Sequence, residues 1–112
     1  MWAITFDFDT NLLKENYHNS SWRNAYFDIE SFLAGFGFVR QQGSVYFGNE
    51  NVTAVICVTT VQALSTEFDW VATSVKDIRM LKIEENNDLM PAIKGSSKKK
   101  INKLRFVSWL CT

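Results

Sequence analysis

The sequence predicts an α+β domain whose strands and helices run β-α-β-β-α-β, giving a four-stranded antiparallel sheet with both helices on one face. Three observations carry that expectation. The chain opens on a segment that strictly alternates apolar and polar residues, the period of a strand. Two later segments place apolar residues at helical spacing, and a glycine-punctuated β-prone run lies between them. The length, 112 residues with 46% hydrophobic and 14% aromatic content, fills one core and not two.

The first strand is Trp2 to Asp9. Trp2, Ile4, Phe6 and Phe8 take one face, and Ala3, Thr5, Asp7 and Asp9 the other. Asn11 to Ser21 is polar and turn-like. Ser20 or Ser21 then caps a helix in which Trp22, Ala25, Tyr26, Ile29, Phe32, Leu33 and Phe36 follow the helical period, with Trp22, Phe32 and Phe36 in the core. Gly35 and Gly37 stop it. Phe38 to Gln42 and Ser44 to Phe47 flank Gly43 as a hairpin. Asn51 to Phe68 is rich in Val, Ile and Thr, which favours strand locally. Yet Val52, Val55, Ile56, Thr59, Ala63 and Leu64 share a helical face and no Gly or Pro interrupts them, so the segment is read as a helix. Cys57 within it is a small buried hydrophobe, and Trp70 beyond it is a packing residue. The final strand is Val75 to Glu84, with Val75, Asp77, Arg79, Leu81 and Ile83 opposite Lys76, Ile78, Met80 and Lys82. Neither face is purely apolar, which suits a strand held between its own helices and a partner. A short helix around Asp88 to Lys94, with Pro91 in its first turn, ends the body. This order is the ferredoxin-like split βαβ pattern, and right-handed crossovers give it a spatial strand order of 4-1-3-2. Residues 1–94 form the domain and residues 95–112 a basic C-terminal extension.

The formal charge is zero, twelve Lys and Arg against twelve Asp and Glu. That average conceals an asymmetry. Residues 1–94 hold all twelve acids but seven of the cations, a net of −5, which leaves +5 on residues 95–112. An acidic body binds phosphate poorly, so any contact with nucleic acid falls to a local set such as Arg79, Arg40 and Lys76. The tail, with Lys98 to Arg105 followed by Phe106 and Trp109, reads either as an RNA-binding arm or as an appendage packed on a partner.

Other classes are excluded. Cys57 and Cys111 belong to no spaced set for a disulfide framework or zinc site, which suits a reducing, cytoplasmic setting. The N-terminus has no cationic leader and meets an acid at Asp7, unlike a secretory signal. The longest uncharged stretch, Asn51 to Thr66, is sixteen residues, short of the roughly 20 that a membrane span needs. His18, the single histidine, cannot supply from one subunit both the base and the acid of a two-histidine ribonuclease, and reads as a solvated loop residue or, at a dimer or substrate contact, as an auxiliary proton-transfer group. Phosphate-binding loops, dinucleotide fingerprints and HExxH are absent, and no organic cofactor is expected.

With Trp2, Ile4, Phe6 and Phe8 toward the helices, Asp7 and Asp9 are left on the open face, about 7 Å apart at ~3.4 Å per residue. The first strand lies between the third and fourth and antiparallel to both, so Asp7, Ser44, Tyr46, Asp77 and Arg79 are expected to converge. Acids, a hydroxyl, a phenol and a guanidinium suggest phosphodiester chemistry. Asp7 would hold a divalent cation, Mg2+ or Mn2+, with Asp77 or Asp9 as a second ligand. Arg79 would bind the phosphate, Ser44 would hydrogen-bond the phosphate or ribose, and Tyr46 would stack a base or pack at an interface. Asp7 as an ordinary surface acid is the plain alternative.

Four segments, in order and spacing, carry a family resemblance: Met1-Trp-Ala-Ile-Thr-Phe-Asp7, then Ala25-Tyr26, then Gly37-Phe-Val-Arg-Gln-Gln-Gly-Ser-Val-Tyr46, then Ser74-Val-Lys-Asp-Ile-Arg-Met-Leu-Lys-Ile-Glu84. Together they resemble the virulence-associated protein VapD family, over residues 1 to about 94. The resemblance implies homodimeric ferredoxin-fold endoribonucleases, similar to small CRISPR-associated nucleases, that cut single-stranded RNA and serve as toxins in some toxin–antitoxin modules. It places the family's catalytic acid on Asp7 and its Gly-Ser pair on Gly43 and Ser44; a role for Arg79 is read from its chemistry alone. Trp2 stands where Tyr is usual, Lys76 where Arg is common, and Met80-Leu81 where Ala-Phe is expected. The rival reading from another class is a non-catalytic homodimer that binds RNA or an antitoxin protein, and a DNase is a weaker enzymatic one.

Overall fold

In the computed structural model, which describes residues 1–98, the alternating first strand becomes the centre of the sheet. β1 (Trp2–Phe8) pairs antiparallel with β3 (Val45–Gly48) on one side and β4 (Val75–Lys82) on the other, and β2 (Phe38–Gln42) pairs antiparallel with β3 outside it. The order β2-β3-β1-β4 is the expected one, and the architecture is α+β and ferredoxin-like. Five helices accompany it: α1 (Thr10–Asn16), α2 (Asn24–Ala34), α3 (Ala54–Glu67), α4 (Asp69–Ser74) and α5 (Met90–Lys98).

The core forms where the even positions of β1 meet the helices. Ile4, Phe6 and Phe8 are buried with Ala25, Ile29 and Leu33 of α2, Cys57 and Leu64 of α3, and Trp70 and Val71 of α4. Each fully buried large side chain of this kind contributes roughly 1.5–3 kcal/mol. The packing is aromatic in character: Phe6 stacks on Phe8 at 5.9 Å, and Phe8 meets Tyr26 edge-on at 6.0 Å. Burial pushes the Cys57 thiol up, which keeps it neutral as a core residue. Trp70 is a packing residue, as expected.

Several local expectations are corrected. The segment after β1 is a helix and not a turn. Asp9 Oδ1 accepts from the amides of Asn11 and Leu12, both at 3.0 Å, and so caps α1. Neither Ser20 nor Ser21 caps α2. Its N-cap is Arg23 without a side-chain bond, and its entry is a backbone turn in which the Asn24 amide donates to the Ser21 carbonyl at 2.9 Å. Phe36 is exposed, stacked on Phe32 at 4.9 Å. The short α4 adds a turn before the last strand, which ends at Lys82 and not Glu84. The helix over the Val-Ile-Thr-rich segment is present and is capped by Thr53, whose Oγ1 accepts from the Ile56 amide at 3.2 Å. Pro91 sits in the first turn of α5, whose start is held by Asp88 Oδ1 accepting from the Met90 amide at 2.9 Å. Gly37, at φ 92°, turns the chain from α2 into β2; a Cβ there would stand 2.8 Å from the Asn49 side-chain nitrogen. No helix among the described residues is long and apolar enough to cross a membrane. The basic C-terminal extension, read above as an RNA-binding arm or an appendage, falls mostly on residues 99–112, outside the described residues.

Candidate active site

Strand alternation turns the odd positions of β1 away from the core formed with α2, α3 and α4. Asp7 is exposed there, and directly across from it stands Asp77 of β4, while Thr5 stands across from Arg79. Asp77 and Arg79 are two residues apart on one strand and so share a face. Arg79 Nε donates to both Asp77 oxygens, at 3.2 and 3.1 Å. Asp7 makes no side-chain hydrogen bond or ion pair among the described residues. Of two facing carboxylates, one is neutralised by a guanidinium and the other is free.

The strand pairing changes at this point. Asp7 is opposite Asp77, but Phe8 is opposite Val75, so Lys76 is an extra residue in β4. Such a bulge increases local twist and re-aims the side chains beside it. The Asp9 amide then donates to the Ser74 carbonyl at 2.9 Å, which ties the end of β1 to the start of β4 below the bulge. On the other side, the Phe6 amide donates to the Ser44 carbonyl at 3.0 Å, so the hairpin turn is fixed beside the residue preceding Asp7. Gly43 takes φ 52° in that turn, and Arg40 Nε braces it by donating to the Gly43 carbonyl at 2.7 Å.

The structure therefore brings Asp7, Asp77 and Arg79 to one face, with the Gly43-Ser44 turn adjacent. Thr5, half-buried between Asp7 and Val45, belongs to the same face and is missing from the sequence-based set, although its spacing of two from Asp7 places it there. Other expected members are elsewhere. Tyr46 pairs with Ile4 on the helix-covered face, is 2% exposed, and packs edge-on against Phe6 at 5.8 Å. It is a core residue and offers no ring to a base. Burial above all pushes its hydroxyl up, the Glu30 charge adds to this, and Arg40 opposes it. Arg40, directly opposite Tyr46, lies on that same far face and supports the turn. Lys76 is exposed at the bulge. Asp9 lies at the end of β1, where its Oδ1 is committed to capping α1.

The donors fit a divalent cation only sparsely. Among the described residues no three His, Cys, Asp or Glu side chains gather as a metal cage. Asp77 is engaged by Arg79, so Asp7 is the one uncommitted carboxylate at this place. A largely hydrated Mg2+ uses one or two carboxylates together with substrate phosphate, and Asp7 meets the lower end of that requirement.

Two concavities flank the sheet. On the open face a recess of about 590 Å³ lies between Gln42, Val45 and Phe47 of the hairpin and Asn86 and Asp88 before α5 with Ile93 within it. On the helix side a cleft of about 220 Å³ is lined by Ile4, Cys57, Val61, Ile78, Arg79 and Met80. The second offers no acid for hydrolytic chemistry. The first continues the Asp7 face, because Val45 is the neighbour of Thr5.

No protein-family model matches the chain. Curated relatives do. Endoribonuclease VapD 2 of Riemerella anatipestifer is 53% identical over 93 residues, 83% of this chain and 99% of its own. The endoribonuclease VapD homolog of Helicobacter pylori is 60% identical over 94 residues, 84% of this chain and 97% of its own. Endoribonuclease VapD of Dichelobacter nodosus is 39% identical over 98 residues, 86% of this chain and all of its own.

Proposed function

The chain belongs to the VapD family of endoribonucleases, and from that premise we propose that it cleaves single-stranded RNA at Asp7, as a cytoplasmic homodimer serving as a toxin of a toxin–antitoxin module or a virulence-associated factor. The observation that carries the assignment is the free Asp7 carboxylate facing the Asp77–Arg79 pair on the uncovered face. A carboxylate without a partner is available to orient an attacking hydroxyl or water and take its proton. Arg79 uses Nε on Asp77, which leaves its terminal nitrogens for the non-bridging phosphate oxygens. There they would stabilise the charge that accumulates in the transition state. Ser44, at the fixed turn, supplies a hydroxyl for phosphate or ribose. A Mg2+ or Mn2+ ion held by Asp7 would polarise the phosphate and lower the pKa of bound water.

The uncovered face supports the dimer. Val39 is 69% exposed and Leu81 43% exposed, and both flank Ala3 and Phe47 across the sheet. Exposed apolar side chains at both edges of one face suit a second copy, which would bring a second Asp7 toward the same strand of RNA.

The test is cleavage of labelled single-stranded RNA by parent and Asp7→Asn proteins, with and without chelator. Loss of cleavage on substitution is expected, and loss on chelation if the cation is needed. An Asp7→Asn protein as active as the parent removes the assignment. RNA that is shifted but left intact with Mg2+ present identifies a non-catalytic RNA binder, and equal cutting of matched DNA identifies a less selective nuclease.

A further inference from the structure

Away from the Asp7 face, uncommitted positive charge and an aromatic ring coincide at Trp22. This indole, in the turn that enters α2, packs on the edge of the core, with Arg23 Cζ 4.5 Å and Lys14 Nζ 5.2 Å from its ring centroid. Arg23 and Lys14 are exposed and make no ion pair among the described residues. Among the described residues the other cation over an indole is Lys82 at Trp2, 6.0 Å away, and it is ion-paired with Glu84 at 3.4 Å.

We propose that Lys14, Trp22 and Arg23 form an accessory binding site for single-stranded RNA, holding a phosphate and an unpaired base while Asp7 acts elsewhere on the same strand. The proposal rests on the ribonuclease reading above. Charge supports it first. The body carries −5 over residues 1–94; Arg79, Lys82 and Arg40 are committed to Asp77, Glu84 and the Gly43 carbonyl, and Lys76 stands singly at the bulge, whereas Lys14 and Arg23 are two cations at one ring without an ion pair among the described residues. An RNA strand repelled by such a body is attracted where cations stay unpaired. Chemistry supports it next: a guanidinium held over an indole is fixed in place and presents its own outer planar face, on which a base stacks without sequence demand, and the ammonium adds donors for phosphate. Reach supports it last. Asp9, the cap of α1, is about 7 Å along the strand from Asp7, and Lys14 is five residues further, about 7.5 Å along the helix. The Lys14 backbone therefore lies within about 15 Å of Asp7, a span that a few nucleotides of unpaired strand cover.

The experiment titrates fluorescein-labelled single-stranded RNA into the full chain carrying Asp7→Asn, with and without Lys14→Gln/Arg23→Gln, over a series of salt concentrations. A second variant, Trp22→Phe, shrinks the ring and keeps the cations. Loss of the phosphate contact should flatten the slope of log K against log salt by about 0.7, the value per neutralised phosphate for single strands. Affinity at low salt should fall at least tenfold, and Trp22→Phe should weaken binding without changing the slope. In the cleaving protein the double variant should lose kcat/KM through a higher KM. An unchanged slope, or a loss carried by kcat alone, overturns the accessory site while parent cleavage keeps the ribonuclease reading. Polyglutamate competing as well as RNA overturns the RNA assignment in favour of an acidic peptide. A parent that neither binds nor cuts RNA removes both.

Discussion

Asp7 and Asp77 face each other directly across β1 and β4, and Arg79 neutralises only the second. Like charges placed opposite one another in a sheet destabilise it, by an amount comparable to the roughly 0.2–1 kcal/mol of a favourable cross-strand pair. Asp7→Asn should therefore keep or slightly raise the melting temperature while slowing RNA cleavage by about 10²–10⁴-fold, the range for a lost proton-transfer group. Asp77→Asn should act differently: it leaves Asp7 intact and unties Arg79, so cleavage should fall by about tenfold. Single-turnover cleavage beside thermal melts reads both effects. If Asp77→Asn is as inactive as Asp7→Asn, Asp77 takes part in the chemistry directly.

Arg79 tests the other half of that relationship. Its ion pair with Asp77 is exposed, and such pairs contribute only about 0.2–1 kcal/mol. Arg79→Lys should therefore leave stability almost unaltered. Cleavage should still fall well below the parent, because an ammonium cannot hold Asp77 and a phosphate at once as a planar guanidinium does. Parent-like rates for Arg79→Lys would show that charge alone is required.

Tyr46, a site candidate by sequence, lies in the core, edge-on to Phe6 at 5.8 Å. Tyr46→Phe keeps that contact and should cleave within about twofold of the parent. Tyr46→Ala opens a cavity beneath β3, and large aromatic truncations cost about 3–5 kcal/mol. That would lower the melting temperature by more than ~10 °C in a domain of this size. A strong loss of cleavage in a stably folded Tyr46→Phe protein would return the phenol to the site.

The contrast between Tyr46 and Asp7 shows which signals the sequence carries. β1 is legible because Ile4, Phe6 and Phe8 alternate with Thr5 and Asp7 without a break, and that alternation is sufficient to place Asp7 on the uncovered face. The hairpin is legible as a hairpin, but its register depends on an extra residue at Gln41 that no periodicity announces. Proximity in sequence thus suggests Tyr46 beside Asp7, whereas pairing with Ile4 turns it to the other side. α1 escapes a periodicity reading because Leu13 is its one buried residue. The signal that marks it is Asp9 followed by Thr-Asn-Leu-Leu, an N-cap sequence. The bulge at Lys76 and the Arg79–Asp77 contact are tertiary facts, fixed by how β4 meets β1.

Asp9 offers a clean separation of structural and chemical acids. Its carboxylate accepts two amides of α1, and removing such a cap costs about 0.5–2 kcal/mol. Asp9→Ala should lower the melting temperature by several degrees, Asp9→Asn should recover most of the loss because Asn caps nearly as well, and both should still cut RNA. Inactivity of a stable Asp9→Asn protein would mean that its charge is needed and that the acid does more than cap.

The sharpest pH dependence of stability should come from Tyr17. Its hydroxyl donates to Asp28 Oδ2 at 2.7 Å, linking the end of α1 to α2. Burial first, then the Asp28 hydrogen bond and charge, push its pKa from 10.0 up to about 12. A folded-state value raised above the unfolded one means that the neutral phenol is favoured by folding. The stabilisation is therefore fully present below pH 10 and lost as pH rises through about 12. Tyr17→Phe should be less stable than the parent at pH 8, by about 1.5–3 kcal/mol for a hydrogen bond to a charged acceptor. The gap should narrow steadily above pH 10, because the phenylalanine has no proton to lose. All other groups are common to both proteins and cancel from the difference. Urea unfolding of the pair at pH 8, 10 and 11.5 measures it, and a gap that stays constant across that range would mean that the Tyr17 proton is not held by Asp28.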